Sequence, residues 1–262
     1  VSPKPLSHFH YHANAHAFSG KFTRPFHEQI HVQAPSALPA TGGHGSARVE
    51  NFKFHEFISF KVGYTHVSGG FQESDQSNNT LVTAVLEGLN ILDILTADRI
   101  VCRLYSKHEQ GAAEGRVTMH GSHFENLAIS GHPVKIKLDL GLFEKIRTYE
   151  EAETAYRSND KFRKVASDPL RTGRNLPKQK PNGAFLCSLV EGGEIETDAP
   201  GVKVSGHSIH VPGFGKAYFA ESFISHGTRT LTMLRFELGS TTGGSGSGGG
   251  GTTNGKHYPP GG

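Results

Sequence analysis

The stretch ARVENFKFHEFISFKVGYTH, residues 47–66, decides the fold. Phe52, Phe54, Ile58, Phe60, Val62 and Tyr64 alternate with Asn51, Lys53, His55, Ser59 and Lys61. Successive side chains of a strand point to opposite faces, so this alternation predicts a half-buried antiparallel strand. Glu56 interrupts the apolar face, and the sequence supplies no partner for it.

Working outward, residues 99–105, 116–120, 125–129 and 134–138 read as further short strands, as do 184–190, 202–204, 209–211, 216–224 and 230–238. The apolar run Leu81–Leu95 suits a buried strand or a helix; Gly88 and Asn90 favour strands with a turn. Residues 129–134 (ISGHPV) and 204–209 (VSGHSI) each set a Ser-Gly pair between β-formers, a hairpin signal. One helix is signalled: Thr148 and Glu151 make a capping box, and Tyr149, Ala152, Ala155 and Tyr156 follow at helical spacing. The expected fold is mainly β, an antiparallel sandwich or irregular barrel with one helical insertion near 148–166.

The two ends differ from this centre. The segment HFHYHANAHA, residues 8–17, alternates strictly: His8, His10, His12, Asn14 and His16 share one face of an extended strand, and Phe9, Tyr11 and the alanines share the other. At the other end, 11 of the 33 Gly fall in residues 239–262, a composition that reads as flexible coil. The expected organisation is an extended His- and aromatic-rich arm (1–46), a β-rich domain (47–238) with a helical and basic insertion at 143–183, and a Gly-rich tail (239–262). The chain starts Val1-Ser2-Pro3 without a signal-peptide pattern. The expectation is a mature exported product, extracellular or on the cell surface, with its signal peptide removed.

Composition bounds the function. The 262 residues carry Lys+Arg 27 against Asp+Glu 24, for a net charge of +3, and mean hydropathy is −0.40. No run approaches the ~18 apolar residues of a membrane-spanning helix. Two Cys exclude an all-cysteine zinc site. Protonating all 17 His would take the charge from +3 to +20, so charge depends on pH near 6.5.

Several residues carry candidate chemistry. His8, His10, His12 and His16 are the candidate metal ligands, since same-face neighbours on a strand lie about 6.8 Å apart and two imidazoles can converge on Cu, Ni or Zn across that gap. The aromatic face of the same strand suits pairing with another subunit's sheet edge. His27-Glu28-Gln29-Ile30-His31 matches the H-E-x-x-H zinc-hydrolase motif, but Pro25 and Pro35 leave little room for the helix that motif needs. In a strand, His27 and His31 would stand about 13 Å apart, too far for one metal.

Cys102 and Cys187 are candidates for one disulfide, closing a loop of about 85 residues worth ~3–5 kcal/mol. The basic run Lys161, Arg163, Lys164, Arg171, Arg174, Lys178 and Lys180 reads as a solvated loop, with an anionic polysaccharide or acidic subunit as the next reading; it lacks the aromatic interleaving of a nucleic-acid site. Asn78-Asn79-Thr80 has the form of a glycosylation sequon. No nucleophile elbow, P-loop or dinucleotide fingerprint is present.

LTADRI at residues 95–100, GSHFENLAISGHPV at 121–134 and GHSIHVPGFG at 206–215 carry a resemblance. Over roughly residues 80–240 the chain resembles bacterial exported proteins of the choice-of-anchor P type and related uncharacterised proteins. The resemblance implies a secreted or surface-displayed β-rich module and supplies no catalytic residues. The leading expectation is therefore a secreted, non-catalytic structural subunit of a bacterial surface layer, matrix or filament. It would require no cofactor and associate with copies of itself through extended termini, with no nucleic acid and no membrane span. The alternative is an extracellular metal- or polysaccharide-binding module, and a zinc hydrolase at residues 27–31 stands third.

Overall fold

The computed structural model describes residues 8–167, 183–239 and 241–258. In chain order the strands begin β1 (His8–His10), β2 (Ala13–Arg24), β3 (Glu28–Gln33), β4 (Ser36–Ala37), β5 (Gly43–Phe54), β6 (Ile58–Gln72), β7 (Ser77–Ile91) and β8 (Leu95–Glu109). Then come β9 (Arg116–Thr118), β10 (His123–Glu125), β11 (Ala128–Ile129) and β12 (His132–Leu138), followed by the helices α1 (Leu140–Glu144), α2 (Tyr149–Ser158) and α3 (Asp160–Val165). The remaining strands are β13 (Ala166–Ser167), β14 (Ala184–Ser188), β15 (Val190–Thr197), β16 (Lys203–Ser205), β17 (Ser208–Val211), β18 (Gly215–Ser225), β19 (Thr228–Leu238), β20 (Gly243–Thr253) and β21 (Lys256–Tyr258).

Two antiparallel sheets pack face to face, as the sandwich reading expects. One runs β15-β12-β11-β8-β7-β6-β5, with β9 and β10 also on β8. The other runs β13-β14-β18-β19-β20-β2-β3, joined by β4, β16 and β17. Between them lies one core, with Phe18, Phe60, Leu86, Ile100, Leu234 and Phe236 among its buried side chains. A separate pair, β1 with β21, brings the two ends of the described chain together.

The stretch 47–66 is not one strand but the β5–β6 hairpin, in which Phe54 faces Ile58. Glu56 sits at the exposed tip and pairs with Lys53 at 2.9 Å, which resolves its apparent burial. Alternation also breaks within each sheet. Asn51 (φ 52°), Lys61, Gly88 (φ 65°) and Asp98 lie in a row across β5 to β8 where the ladder is irregular. Ala220 (φ 50°), Met233, Gly249 (φ 64°) and Ala17 form the matching row across β18, β19, β20 and β2. An irregularity of one residue reverses which side chains face the core. Thus Phe60 points inward, whereas Val62 and Tyr64, grouped with it by simple alternation, are half-buried on the outer face and Gly63 and Thr65 take the inward positions.

The Gly-rich segment is the largest departure from expectation. Gly243–Thr253 is not a coil tail: it forms β20, paired with β19 on one side and β2 on the other. Its inward glycines let the two sheets approach closely. A Cβ on Gly248 would stand 3.1 Å from Leu86, and one on Gly251 would stand 2.7 Å from Val82. The N-terminal segment is likewise no free arm. Its inward face, Ala13, Ala15, Ala17 and Phe18, is core, and β2 is flanked by β20 and β3. Inward alanines on β2 beside inward glycines on β20 make this the thin part of the sandwich.

The helices cover one end. The capping box of Thr148 and Glu151 is formed as read, and α2 starts at Tyr149. Tyr149, Tyr156 and Phe162 gather around Phe185 of β14. The Glu114 carboxylate adds a further cap, accepting from the Tyr149 amide at 2.9 Å and the Gly227 amide at 3.2 Å. Both Ser-Gly signals are hairpins: Ile129 faces His132, and Ser205 faces Ser208.

Candidate binding face

Strand β20 shapes the outer face of its sheet as well as the core. Residues 244–248 alternate Gly-Ser-Gly-Ser-Gly, which sends the glycines inward and Ser245 and Ser247 outward. Two cross-strand rows result. In one, Tyr218, Arg235, Ser247 and Ser19 lie side by side; in the other, Lys216, Glu237, Ser245, Lys21 and Gln29 do. Serine in the middle and longer side chains on either side make a trough. It holds about 460 Å³ between Arg235 and Glu237 on one wall and Gln29, Ile30 and Val32 on the other. A second hollow of about 410 Å³, lined by Lys21, Thr23, Arg24 and Gly243, continues it along the strand.

The floor is polar and partly pre-arranged. Ser247 Oγ lies 3.3 Å from both Ser19 Oγ and His16 Nε2. On the β18 side Glu221 is buried and accepts from Arg235 Nε at 2.6 Å and Nη2 at 2.9 Å, with His207 Nε2 at 3.0 Å. Arg235 Nη1 also donates to Glu237 at 2.5 Å, and its guanidinium lies 3.7 Å over the Tyr218 ring. Burial acts to raise the Glu221 pKa, but the hydrogen bonds and charges of Arg235 and His207 outweigh it and hold the carboxyl at about 2. The Arg235 guanidinium is correspondingly held in its charged form. This wall is a rigid ion-pair lattice with its charges satisfied. Lys21 and Arg24 are exposed and make no ion pair among the described residues.

The residues singled out by sequence are scattered. His8 and His10 on β1 and His12 between β1 and β2 face outward, with Phe9 and Tyr11 turned inward as the alternation predicts. His16 lies apart from them, its ring over Gly250 and its pKa lowered by burial. Among the described residues no three His, Cys, Asp or Glu side chains come together as a metal group. His27 immediately precedes β3, and Glu28, Gln29, Ile30 and His31 lie in that strand rather than a helix, so the H-E-x-x-H geometry is not made. Glu28 instead meets His55 at 3.1 Å on the surface.

Cys102 and Cys187 do not form the expected bridge. They are separate buried thiols in β8 and β14, on opposite sheets, each pushed up to about 12 by burial. Asn78 of the sequon is buried and accepts from Tyr11 Oη at 2.7 Å, so its amide is not presented at the surface. Of the basic run, Lys161, Arg163 and Lys164 lie on α3; Arg171, Arg174, Lys178 and Lys180 lie outside the described residues. Among the described residues no helix is long and apolar enough to cross a membrane.

Sequence reading missed Ser245, Ser247, Arg235, Glu237, Lys21 and Arg24 as one surface. The available signal was the period-two Gly/Ser pattern of residues 244–248, which is a strand pattern with hydrogen as the inward side chain.

A family model described as Domain of unknown function (DUF8256) matches residues 9–225 of the 262. The chain belongs to this DUF8256 family. The matched region ends with β18, so β19 and β20 lie beyond it, although the fold inserts them between β18 and β2. No curated protein and no solved structure matches the chain.

Proposed function

We propose that this DUF8256 chain is an extracellular, non-catalytic module that binds an extended anionic polysaccharide along the trough over β20. The observation carrying this reading is the elongated groove that β20 floors with glycine and serine, with Lys21 and Arg24, which make no ion pair among the described residues, along it. A polymer chain needs length, hydroxyl partners and fixed donors, and the trough has all three. Unpaired Lys and Arg attract carboxylate or sulfate groups, an effect that weakens as salt screens it. The ion-pair lattice favours binding over catalysis: a carboxyl held at about 2 cannot serve as a proton donor near neutral pH. Export rests on the resemblance of residues 80–240 to exported surface proteins.

Affinity electrophoresis in gels carrying alginate or polygalacturonate, against dextran as the neutral control, tests the reading. Retardation by the anionic polymers, lost in Lys21→Glu/Arg24→Glu and reduced by salt, is the expected result. Equal mobility in all gels, or retardation that the double variant keeps, would overturn it.

A second reading keeps the protein a structural subunit but moves the contact. β1 and β2 are paired within their own chain, with β21 and β20. The twelve-residue edge strand β5 is the surface that favours assembly. A monomer by size-exclusion chromatography at high concentration, at both pH 5 and pH 8, would exclude it.

A further inference from the structure

The end of the sandwich opposite the trough's Gly243 end is closed by β1 and β21, and two histidines meet beneath them. His108 projects inward from the end of β8, and His257 comes from β21. Their ring centroids are 5.1 Å apart, and Phe9 of β1 completes a triangle at 5.0 Å from one and 5.1 Å from the other. His108 Nε2 lies 2.9 Å from the Ala112 carbonyl oxygen. A carbonyl only accepts, so Nε2 carries the proton and Nδ1 bears the lone pair. Among the described residues that Nδ1 has no hydrogen-bond partner and is buried, and so are both ring nitrogens of His257. Three orphaned imidazole nitrogens in one small cluster are costly unless something occupies them.

We propose that His108 and His257 form a two-imidazole site for a monovalent copper ion, which ties the last strand of the chain to β8. The backbone carbonyl that fixes the His108 tautomer is the arrangement that presents a histidine to a metal: one ring N–H donates outward and the other nitrogen is left bare. Two imidazoles and one small external ligand around a three-coordinate ion, with metal–nitrogen bonds of about 2 Å, hold the two ring centroids roughly 5 Å apart. His257 can present either nitrogen.

Gly115 keeps the approach open. A Cβ there would stand 3.4 Å from His108 Nδ1 and 2.8 Å from Ser106 Oγ. Phe9 packs against both rings, and among the described residues no third His, Cys, Asp or Glu gathers with them as a ligand group. A soft, singly charged ion that accepts imidazole with low coordination suits such surroundings better than Zn²⁺.

Competition of the full chain against a chromophoric Cu⁺ chelator, with ascorbate present at pH 7.5, tests this, with Zn²⁺ titrated separately. One tight Cu⁺ equivalent is expected, weakened at least tenfold in His257→Phe, which keeps a ring in the cluster, and in Gly115→Ala, which keeps both ligands but fills the approach. A His8/His10/His12→Ala variant should retain the site. Unchanged binding in Gly115→Ala and His257→Phe would overturn the proposal, as would loss in the triple variant alone or tight Zn²⁺ without tight Cu⁺. Circular dichroism confirms that each variant is folded, and if His257→Phe is not, Gly115→Ala decides alone.

Discussion

Gly251 of β20 lies against Val82 of β7 so closely that a Cβ on it would stand 2.7 Å from Val82 Cγ1. The contact joins a strand near the chain's end to a strand in the middle of the other sheet. It makes the Gly-rich segment part of the core's geometry rather than an appendage.

Gly251→Val should therefore destabilise the protein by about 3 kcal/mol or more, the upper range for overpacking a core that cannot relax. Ser247→Ala, on the outer face of the same strand, should stay within about 0.5 kcal/mol. Urea unfolding followed by far-ultraviolet circular dichroism measures both. A chain ending at residue 238 should lose cooperative unfolding, because it leaves β19 and β2 without the strand between them. Equal stability of the Gly251 variant and the parent would mean that β20 does not hold this position.

Glu221 sets an acid limit. Its carboxyl lies at about 2 when folded, against an ordinary 4.5. The unfolded chain takes up the proton first as pH falls, so the stability contributed above pH 4.5 drains away between 4.5 and 2. The contribution is about 3 kcal/mol. Glu221→Gln should lose most of this at pH 7 and show a flatter stability profile between pH 5 and pH 2.5, read from unfolding midpoints. A profile as steep as the parent's would show that other carboxylates account for it.

Cys102 and Cys187 should behave as two buried thiols. Both should resist a thiol reagent in the native protein at pH 8 and titrate as two equivalents on unfolding, since burial holds each thiol protonated. Reductant should leave the melting temperature unchanged. A mass two units lower without reductant, with no titratable thiol on unfolding, would establish a bridge instead.

The β-rich class, the capped helix at Thr148 and both Ser-Gly hairpins were legible in the chain because each rests on local rules: alternation, a cap three residues from its partner, a two-residue turn. The alternation of residues 8–17 also read correctly as two faces. What it could not show was the partner. Outward His8, His10 and His12 stood out as a metal set, while the two rings that meet beside Phe9, His108 and His257, stand far apart in sequence with no local pattern around either.

The two irregular rows explain the other errors. Asn51, Lys61, Gly88 and Asp98 fall side by side only after four strands have paired, and there the apolar face changes parity; hence Val62 and Tyr64 lie opposite to where simple counting puts them. Propensity alone made Gly243–Thr253 a coil, because glycine weakens an isolated strand. Within the sandwich, two neighbouring strands supply its hydrogen bonds and the opposite sheet needs the space a side chain would take. By itself, then, the sequence determined the β-rich class and many of its strands, where one helix starts and which turns close hairpins, since neighbours along the chain decide those. Only the tertiary structure decided that the Gly-rich segment is a core strand, that the thiols stay apart and that a serine-floored trough exists, since these depend on what residues far along the chain leave room for.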